Sequence, residues 1–385
     1  MSLFYAKHFL DKNDFQSVQR VLKKNNLTQG EYVEKFEKNL KTYFKSNYSI
    51  VLTNGTAALH LAIKSLNLKE KSKIITSPIT FISTVSSIIM NNHIPDFVDI
   101  CENNYTLDPN KLEHKIKKSK KISAVIAVDY AGNPCDWNAL KYLSKKYNFY
   151  LINDNCHALG AKLNGNKGYA VSFADLVTQS YHPAKNFTTG EGGSVLTNNK
   201  KLADRIRLLR SHSMIKDPKM IKKFGQWNYF VNEVGYNYRL TDIQCALGIS
   251  QLKKLDSFVK RRQDISKIYN NEFIGLPNIQ IPKKLKSNYH SYHLYPLLID
   301  FKNLKINKKK FFEILSKKKI NLQVHYIPVY KQSFLKKFRF EDKNFPVSEK
   351  FYSQEVSLPI YYSLKKREQL IVIQNIIQIL KKYAK

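Results

Sequence analysis

Three short segments carry residues whose types and spacing can do chemistry. The first, SYHPAKNFTTGEGG at 180–193, places Lys185 between Ser180 and the pair Gly192-Gly193. A lysine held among apolar or cationic neighbours loses its proton and attacks a carbonyl to form an imine. A lysine in an open loop stays a solvated charge. The second, LINDNCHALG at 151–160, puts Asp154 at the end of an apolar run. A carboxylate at a buried strand end is costly without a partner. A protonated heteroaromatic nitrogen would suit it; so would a helix cap or a local turn. His157 can lie against a bound ring or be a satisfied loop histidine. The third, LTNGTAALHLA at 52–62, reads as strand, Asn54-Gly55 turn and helix. The free N–H groups and dipole of a helix start attract an anion. Gly55 lets a phosphate approach the backbone and Thr56 adds a hydroxyl, although ordinary strand–turn–helix punctuation uses the same letters.

Taken together, the segments offer a phosphate cradle, a carboxylate for a ring nitrogen and a lysine for an imine. These are the protein-side needs of one cofactor, pyridoxal phosphate.

The elements that must position these residues alternate in type. Strand-like runs occur at 48–52, 73–76, 95–100, 122–130 and 149–153, then at 176–181 and 193–198. Helical patterns at 58–66, 81–90, 110–118 and 137–147 separate the first five. Such alternation predicts an α/β fold, a mainly parallel sheet with helices on both faces. The chemistry-bearing segments then fall where strands end and helices begin, the usual place for ligands in open α/β sheets. The runs at 176–181 and 193–198 leave no room for a crossover helix, so they predict neighbouring strands joined by a loop that carries Lys185. Helices are expected at 202–212 and from Thr241 towards Tyr269. Strand-like 292–300 and 320–328 flank a helix near 308–319. In the last helix, 370–383, Leu370, Ile373, Ile376, Ile377 and Leu380 predict one buried face. We expect a large cofactor-binding α/β domain over 12–254 and a smaller α+β domain over 255–385.

Composition excludes several classes. With 43% hydrophobic and 12% aromatic residues in 385, the chain can bury a proper core. No apolar run approaches the ~20 residues a membrane helix needs. The start, MSLFYAKHFLDKNDF, lacks the long apolar stretch of a signal peptide. The four cysteines are far apart, with no metal or redox spacing, and read as reduced thiols of a cytoplasmic protein. The formal net charge of +34 raises the question of nucleic acid. The lysines are spread along the whole chain, and blocks such as KKSKK (117–121) sit near helix ends or loops. No aromatics are interleaved as a stacking platform requires. We therefore expect no nucleic-acid partner, and a field that attracts an anionic small substrate.

NGTAALHLA, SPITFIST (77–84), VDYAG (128–132), the D-x-x-H-A-L-G of 154–160, SYHPAKNFTTGEGG and GYNYRLTDIQCALG (235–248) together resemble the DegT/DnrJ/EryC1/StrS family of nucleotide-sugar aminotransferases. The likeness covers nearly the whole chain. It implies the fold-type I, aspartate aminotransferase-like architecture, a homodimer with shared active sites, and pyridoxal 5'-phosphate cycling through pyridoxamine 5'-phosphate. Lys185 resembles the Schiff-base lysine and Asp154 the partner of the pyridine nitrogen. Thr56, Ala57 and Ser180 resemble phosphate ligands. Phe81 matches the aromatic that stacks on the ring, with His157 beside it, although FISTVSSII also reads as a buried helix start. Asn237 and Arg239 match a segment that reaches the neighbouring subunit's site. The branch most resembled implies L-glutamate as amino donor and a UDP-linked 4-keto-6-deoxy-N-acetylhexosamine as acceptor. His325 and Tyr326, in QVHYIPVY, would contact the sugar or pack a strand end. The family's dehydratase branch carries His at the lysine position, so Lys185 points away from it. Asn153, Asn155 and Cys156 replace the smaller or acidic residues usual around the aspartate, and Asn186-Phe187 follow the lysine where Pro is frequent.

Overall fold

The structure is a computed structural model that describes residues 2–119 and 121–385. Met1 of the N-terminal stretch and Lys120 of the KKSKK run lie outside the described residues. Seven strands form the main sheet: β1 (Tyr48–Leu52), β2 (Lys73–Thr76), β3 (Ile94–Phe97), β4 (Ala124–Val128), β5 (Tyr150–Asp154), β6 (Leu176–Ser180) and β7 (Gly193–Thr197). Their order is β1-β7-β6-β5-β4-β2-β3. Only β7 runs against its neighbours, so β1 to β6 are all parallel to one another.

A sheet covered on both faces needs apolar residues at successive positions. The run AVIAV of β4 is buried throughout and shows how they divide. Ala124 and Ile126 enter one core with Leu59 and Ile63 of helix α3 (Gly55–Ser65). Val125 and Ala127 enter the other, with Trp137 and Leu140 of α6 (Trp137–Tyr147). Helices α1 (Lys12–Leu22), α2 (Glu31–Phe44), α4 (Ile82–Met90) and α5 (Pro109–Lys118) complete the series before α6, and α7 (Lys200–Arg210) follows β7.

The predicted helix from Thr241 is two helices, α8 (Asp242–Leu252) and α9 (Leu255–Phe273). At the break Lys254 turns to pair with Asp11 and Asp14, at 2.7 and 2.8 Å. Helix α9 serves two cores. Leu255, Phe258 and Val259 join the core under the main sheet, whereas Ile265, Tyr269 and Phe273 join a second. The second core lies against β8 (Ile279–Gln280), β9 (Tyr295–Ile299) and β10 (Glu355–Leu358), an antiparallel sheet with β9 in the middle. Helices α10 (Lys308–Lys317) and α11 (Lys366–Lys382) cover it. Leu3 belongs to this core as well, because Leu3–Phe4 pair with Ile320–Asn321.

Two further expectations need correction. The run 320–328 is a strand only at Ile320–Asn321. Gln323 makes a single antiparallel bridge to Ser357, but the Val324 and His325 N–H groups go to the Gln323 and Glu355 side chains, so the pairing does not extend into a ladder. The buried stripe of α11 is Val372, Ile373, Ile376, Ile379 and Leu380, with Leu370 and Ile377 only partly covered. Buried Gln369, whose amide donates to the Ile265 carbonyl, shares that face. Counting apolar residues alone therefore misplaced it.

Candidate active site

The sheet's register brings the three chemical segments to one edge. Asp154 ends β5 and pairs with Val128 and Thr178, the latter two residues before the end of β6. Ser180 ends β6 and faces Gly193, which also faces Leu52 at the end of β1. Because β1, β5 and β6 are parallel, their carboxyl ends share this edge, and the α3 N-terminus joins them. A cavity of about 720 Å³ opens there. Thr56, Phe81, Asp154, His157, Ser180, Lys185, His325 and Tyr326 all line it.

The loop that carries Lys185 is pinned at its base. The Lys185 N–H bonds to the His182 carbonyl at 2.8 Å, and Thr188 donates to the Tyr181 carbonyl at 2.8 Å. Asn186 donates to the carbonyls of Leu159 and Ser291, and Phe187 stacks on Tyr181. The two residues that replace the frequent proline thus anchor the loop. Burial depresses the Lys185 ammonium below its ordinary pKa, and nearby Cys156 and Asp154 offset part of this. Among the described residues Lys185 forms no ion pair. An amine so placed keeps a larger neutral fraction, as a nucleophile or base requires.

Asp154 is 4% exposed. Its Oδ2 accepts from the Thr84 hydroxyl at 2.8 Å and its Oδ1 from the Cys156 N–H at 3.2 Å. Thr84 also sits 2.8 Å from Thr80. Among the described residues no cation pairs with Asp154, so the carboxylate fits a cationic N–H brought by a ligand. Its flanking residues are held from behind. Asp129, wholly buried, accepts from Cys135 N–H, Trp137 Nε1, Asn153, Asn155 and Tyr169 at 2.7–3.0 Å. Burial raises its carboxyl pKa and those donors pull it back. The two asparagines beside Asp154 are thus bolts into a buried carboxylate, which fixes the end of β5.

The phosphate cradle has a mixed outcome. Asn54 caps α3, and its Oδ1 accepts the Ala57 N–H at 2.8 Å. Ala57 itself is buried behind the cavity, whereas Gly55, Thr56 and Ser180 face it. A Cβ at Gly55 would stand 2.8 Å from the Ser180 Cβ and 3.2 Å from its Oγ, so glycine keeps the cradle open. Two hydroxyls at a helix N-terminus fit a phosphate.

Phe81 is 53% exposed and stands on the cavity wall, not in the core. His157 is buried; its Nδ1 accepts the Ala131 N–H at 3.3 Å and its Nε2 lies 3.0 Å from the Tyr326 hydroxyl. Since a backbone N–H can only donate, the proton of His157 is on Nε2. Burial, then Lys185 and His325, hold its pKa well below the usual range, so the ring is neutral. Asn237 is exposed and Arg239 half-buried, and neither lines the cavity of its own chain. Thr84 escaped sequence reading, although it lies one helical turn beyond Phe81. Tyr5 and His293, also on the wall, carry no local signal at all.

The profile of the DegT/DnrJ/EryC1/StrS aminotransferase family matches residues 8–377. The chain belongs to that family. It is 38% identical over 384 residues to the UDP-4-amino-4,6-dideoxy-N-acetyl-beta-L-altrosamine transaminase of Campylobacter jejuni, covering 100% of this chain and 99% of that protein. Among solved structures, Helicobacter pylori PseC, an aminotransferase involved in the biosynthesis of pseudoaminic acid, superposes with a TM-score of 0.92. The two are 30% identical, with 99% of this chain and 100% of that one covered. A putative sugar aminotransferase of Streptococcus pneumoniae, Spr1654, is similar in both its PMP-form and its PLP-form. Each has a TM-score of 0.90, at 26% and 25% identity, with 98–99% of this chain and 99% of that one covered. The enzyme is a PLP-dependent transaminase with the expected fold-type I architecture. Among the described residues no helix is long and apolar enough to cross a membrane.

Proposed function

We propose that this transaminase moves the amino group of L-glutamate to C4 of a UDP-linked 4-keto-6-deoxy-N-acetylhexosamine, giving UDP-4-amino-4,6-dideoxy-N-acetyl-beta-L-altrosamine. The observation that carries the reading is the meeting of Lys185, Asp154, Thr56 and Ser180 in one cavity, in a chain so similar to the Campylobacter enzyme. Bound pyridoxal phosphate supplies an electron sink for the charge left when an amino acid loses its Cα proton. Thr56, Ser180 and the α3 N-terminus would hold its phosphate, Asp154 would keep its ring nitrogen protonated, and Phe81 and His157 would cover its ring. Lys185 would anchor it, and its Nζ is the base placed to take the Cα proton of the amino donor. His325 and Tyr326 face the sugar. The Tyr326 oxygen already accepts from His157, so its own proton is free to bond a substrate oxygen.

The same proposal includes a homodimer in the cytoplasm, and two domains that divide at residue 255. Among the described residues no arginine lines the cavity, yet a dicarboxylic donor calls for one. Arg239 of a second copy supplies it. The exposed apolar residues of the preceding segment, Trp227 at 79% and Val234 at 80%, suit a covered face. Mixing inactive Lys185→Ala and Arg239→Ala proteins should then restore about one quarter of wild-type activity, because half the random dimers carry one complete site. Activity that stays at the level of the separate variants would rule out sharing.

The substrate is tested by incubating the enzyme with L-glutamate and a panel of UDP-, dTDP- and GDP-4-keto-6-deoxy sugars. Mass spectrometry and NMR then identify the amino sugar. The expected result is 4-amination of the UDP-N-acetyl sugar in preference to the others; preference for a dTDP or GDP sugar would reassign the substrate.

A further inference from the structure

His325 stands on the cavity wall and is 6% exposed. Behind it lie two fully buried side chains of β10 that the mechanism above does not use, Glu355 and Ser357. The His325 Nδ1 is 2.8 Å from the Ser357 Oγ, which is 2.5 Å from the Glu355 Oε1. The other carboxylate oxygen, Oε2, accepts the backbone N–H of His325 at 2.9 Å. Among the described residues the His325 Nε2 has no partner, and it is the nitrogen left to the cavity side.

Counting protons along this row fixes their places. Oε2 is committed as an acceptor, because a backbone N–H can only donate. With Glu355 ionised, Oε1 also accepts, so Ser357 gives its single proton to Oε1. The Ser357 oxygen then accepts from Nδ1, and Nε2 presents a lone pair. With Glu355 protonated, the new proton can sit only on Oε1 and donates to Ser357. Ser357 turns its own proton towards Nδ1, and the imidazole carries its proton on Nε2. One proton taken up at Glu355 converts Nε2 from acceptor to donor, while the ring stays neutral.

The surroundings decide which group takes that proton. Burial pushes the Glu355 carboxyl up to about 7, against the Ser357 hydroxyl, Lys308 of α10 and the His325 N–H. Tyr130, which donates to the His325 carbonyl, and Tyr326 face the same carboxylate. Lys308 donates to the Tyr352 carbonyl at 2.6 Å, and burial lowers its own pKa to about 8. His325 faces Tyr5, Tyr326 and Lys185; burial and then Lys185 depress it to about 3. As pH falls through neutrality the proton therefore goes to Glu355 before the imidazole.

We propose that Glu355, acting through Ser357, sets the tautomer of His325 and so decides whether the sugar-side wall presents a lone pair, which only a donor such as a substrate hydroxyl satisfies, or an N–H, which any carbonyl, ether or hydroxyl oxygen can accept. Glu355 and Ser357 are positioning residues, and His325 in its acceptor form selects a hydroxyl-bearing acceptor. The role in selection rests on the reading of this cavity as the sugar site; the relay itself does not.

The test is two-bond 1H–15N NMR of the cofactor-loaded, 15N-histidine-labelled enzyme, with the His325 signals identified by their loss in His325→Gln. The expected wild-type pattern is a neutral ring, protonated at Nδ1 at about pH 8 and at Nε2 at about pH 6. Glu355→Gln, whose amide N–H stands where the added proton would, should hold Nε2–H at both. Ser357→Ala should abolish the dependence on pH. Glu355→Gln should also slow the sugar half-reaction by about tenfold at the higher pH, or about 1.4 kcal/mol, and flatten its pH profile. A wild-type tautomer that ignores pH, or a Glu355→Gln spectrum like that of the wild type, overturns the relay. A relay seen by NMR with an unchanged sugar half-reaction overturns the role in selection. If no 4-keto sugar reacts with the wild type, the substrate reading falls, and the spectra, which need no sugar, still decide the relay.

Discussion

Replacing Lys185 by Ala should lower turnover by about 10²–10⁴-fold or more, because the substitution removes the proton-transferring group together with the anchoring amine. Lys185→Arg should do no better, since a guanidinium keeps its proton. Borohydride reduction of the loaded wild type should fix the cofactor covalently on the Lys185 peptide, as read by mass spectrometry, and leave the variant unlabelled. Stability separates this from a folding defect. The ammonium is depressed by burial, so the folded protein disfavours the charged form that the unfolded chain carries at neutral pH. Lys185→Ala should therefore raise the melting temperature of the cofactor-free protein. The sign follows from proton counts: above the depressed folded pKa the unfolded chain binds more protons, so wild-type stability rises with pH up to the ordinary value of about 10.4. The variant's advantage should shrink over that window. Wild-type turnover in the variant, or a cofactor fixed on another lysine, would defeat the assignment.

Lys185 could be picked from many lysines because strand periodicity is a local signal. Two apolar runs too close for a crossover had to be joined by its loop, and β6 and β7 are so joined. Asp154 was legible for the same reason, as a charge ending a buried run. What sequence could not show depends on groups distant along the chain. Asn153 and Asn155 looked like departures from the family's pattern, and only the fold brings them to Asp129. Ala57 fitted a phosphate loop by position, yet the Asn54 cap takes its N–H. The run 320–328 has a strand's composition, but Glu355, thirty residues on, captures the His325 N–H and prevents a ladder. The relay behind His325 arises from that same contact, so the failed strand and the buried carboxylate are one structural fact.

Asp154→Asn should reduce turnover by about 10²–10³-fold, the usual cost of losing a preorganised charge at a reacting centre. An amide of the same shape can hydrogen-bond the ring nitrogen but cannot balance a positive charge on it. The alternative reading of Asp154, a local cap or turn, predicts something different. It needs the side chain to hold the fold, and the carboxylate does accept from Cys156 N–H and Thr84. Those bonds run from neutral donors to an ionised acceptor and are worth about 1.5–3 kcal/mol each, part of which the desolvation of the carboxylate cancels, and the amide oxygen of Asn can keep one of them. A buried carboxylate without a cation is itself unfavourable. The cofactor-free variant should therefore melt within a few degrees of the wild type. The difference should appear on loading: saturating cofactor at about a thousandfold over its Kd adds about 4 kcal/mol to the folded state, and the variant should gain visibly less. Melting curves with and without pyridoxal phosphate measure both effects. A variant that is badly destabilised without cofactor, yet gains as much on loading as the wild type, would make Asp154 a structural anchor. A small change without cofactor and a reduced gain with it would place its charge against the ring.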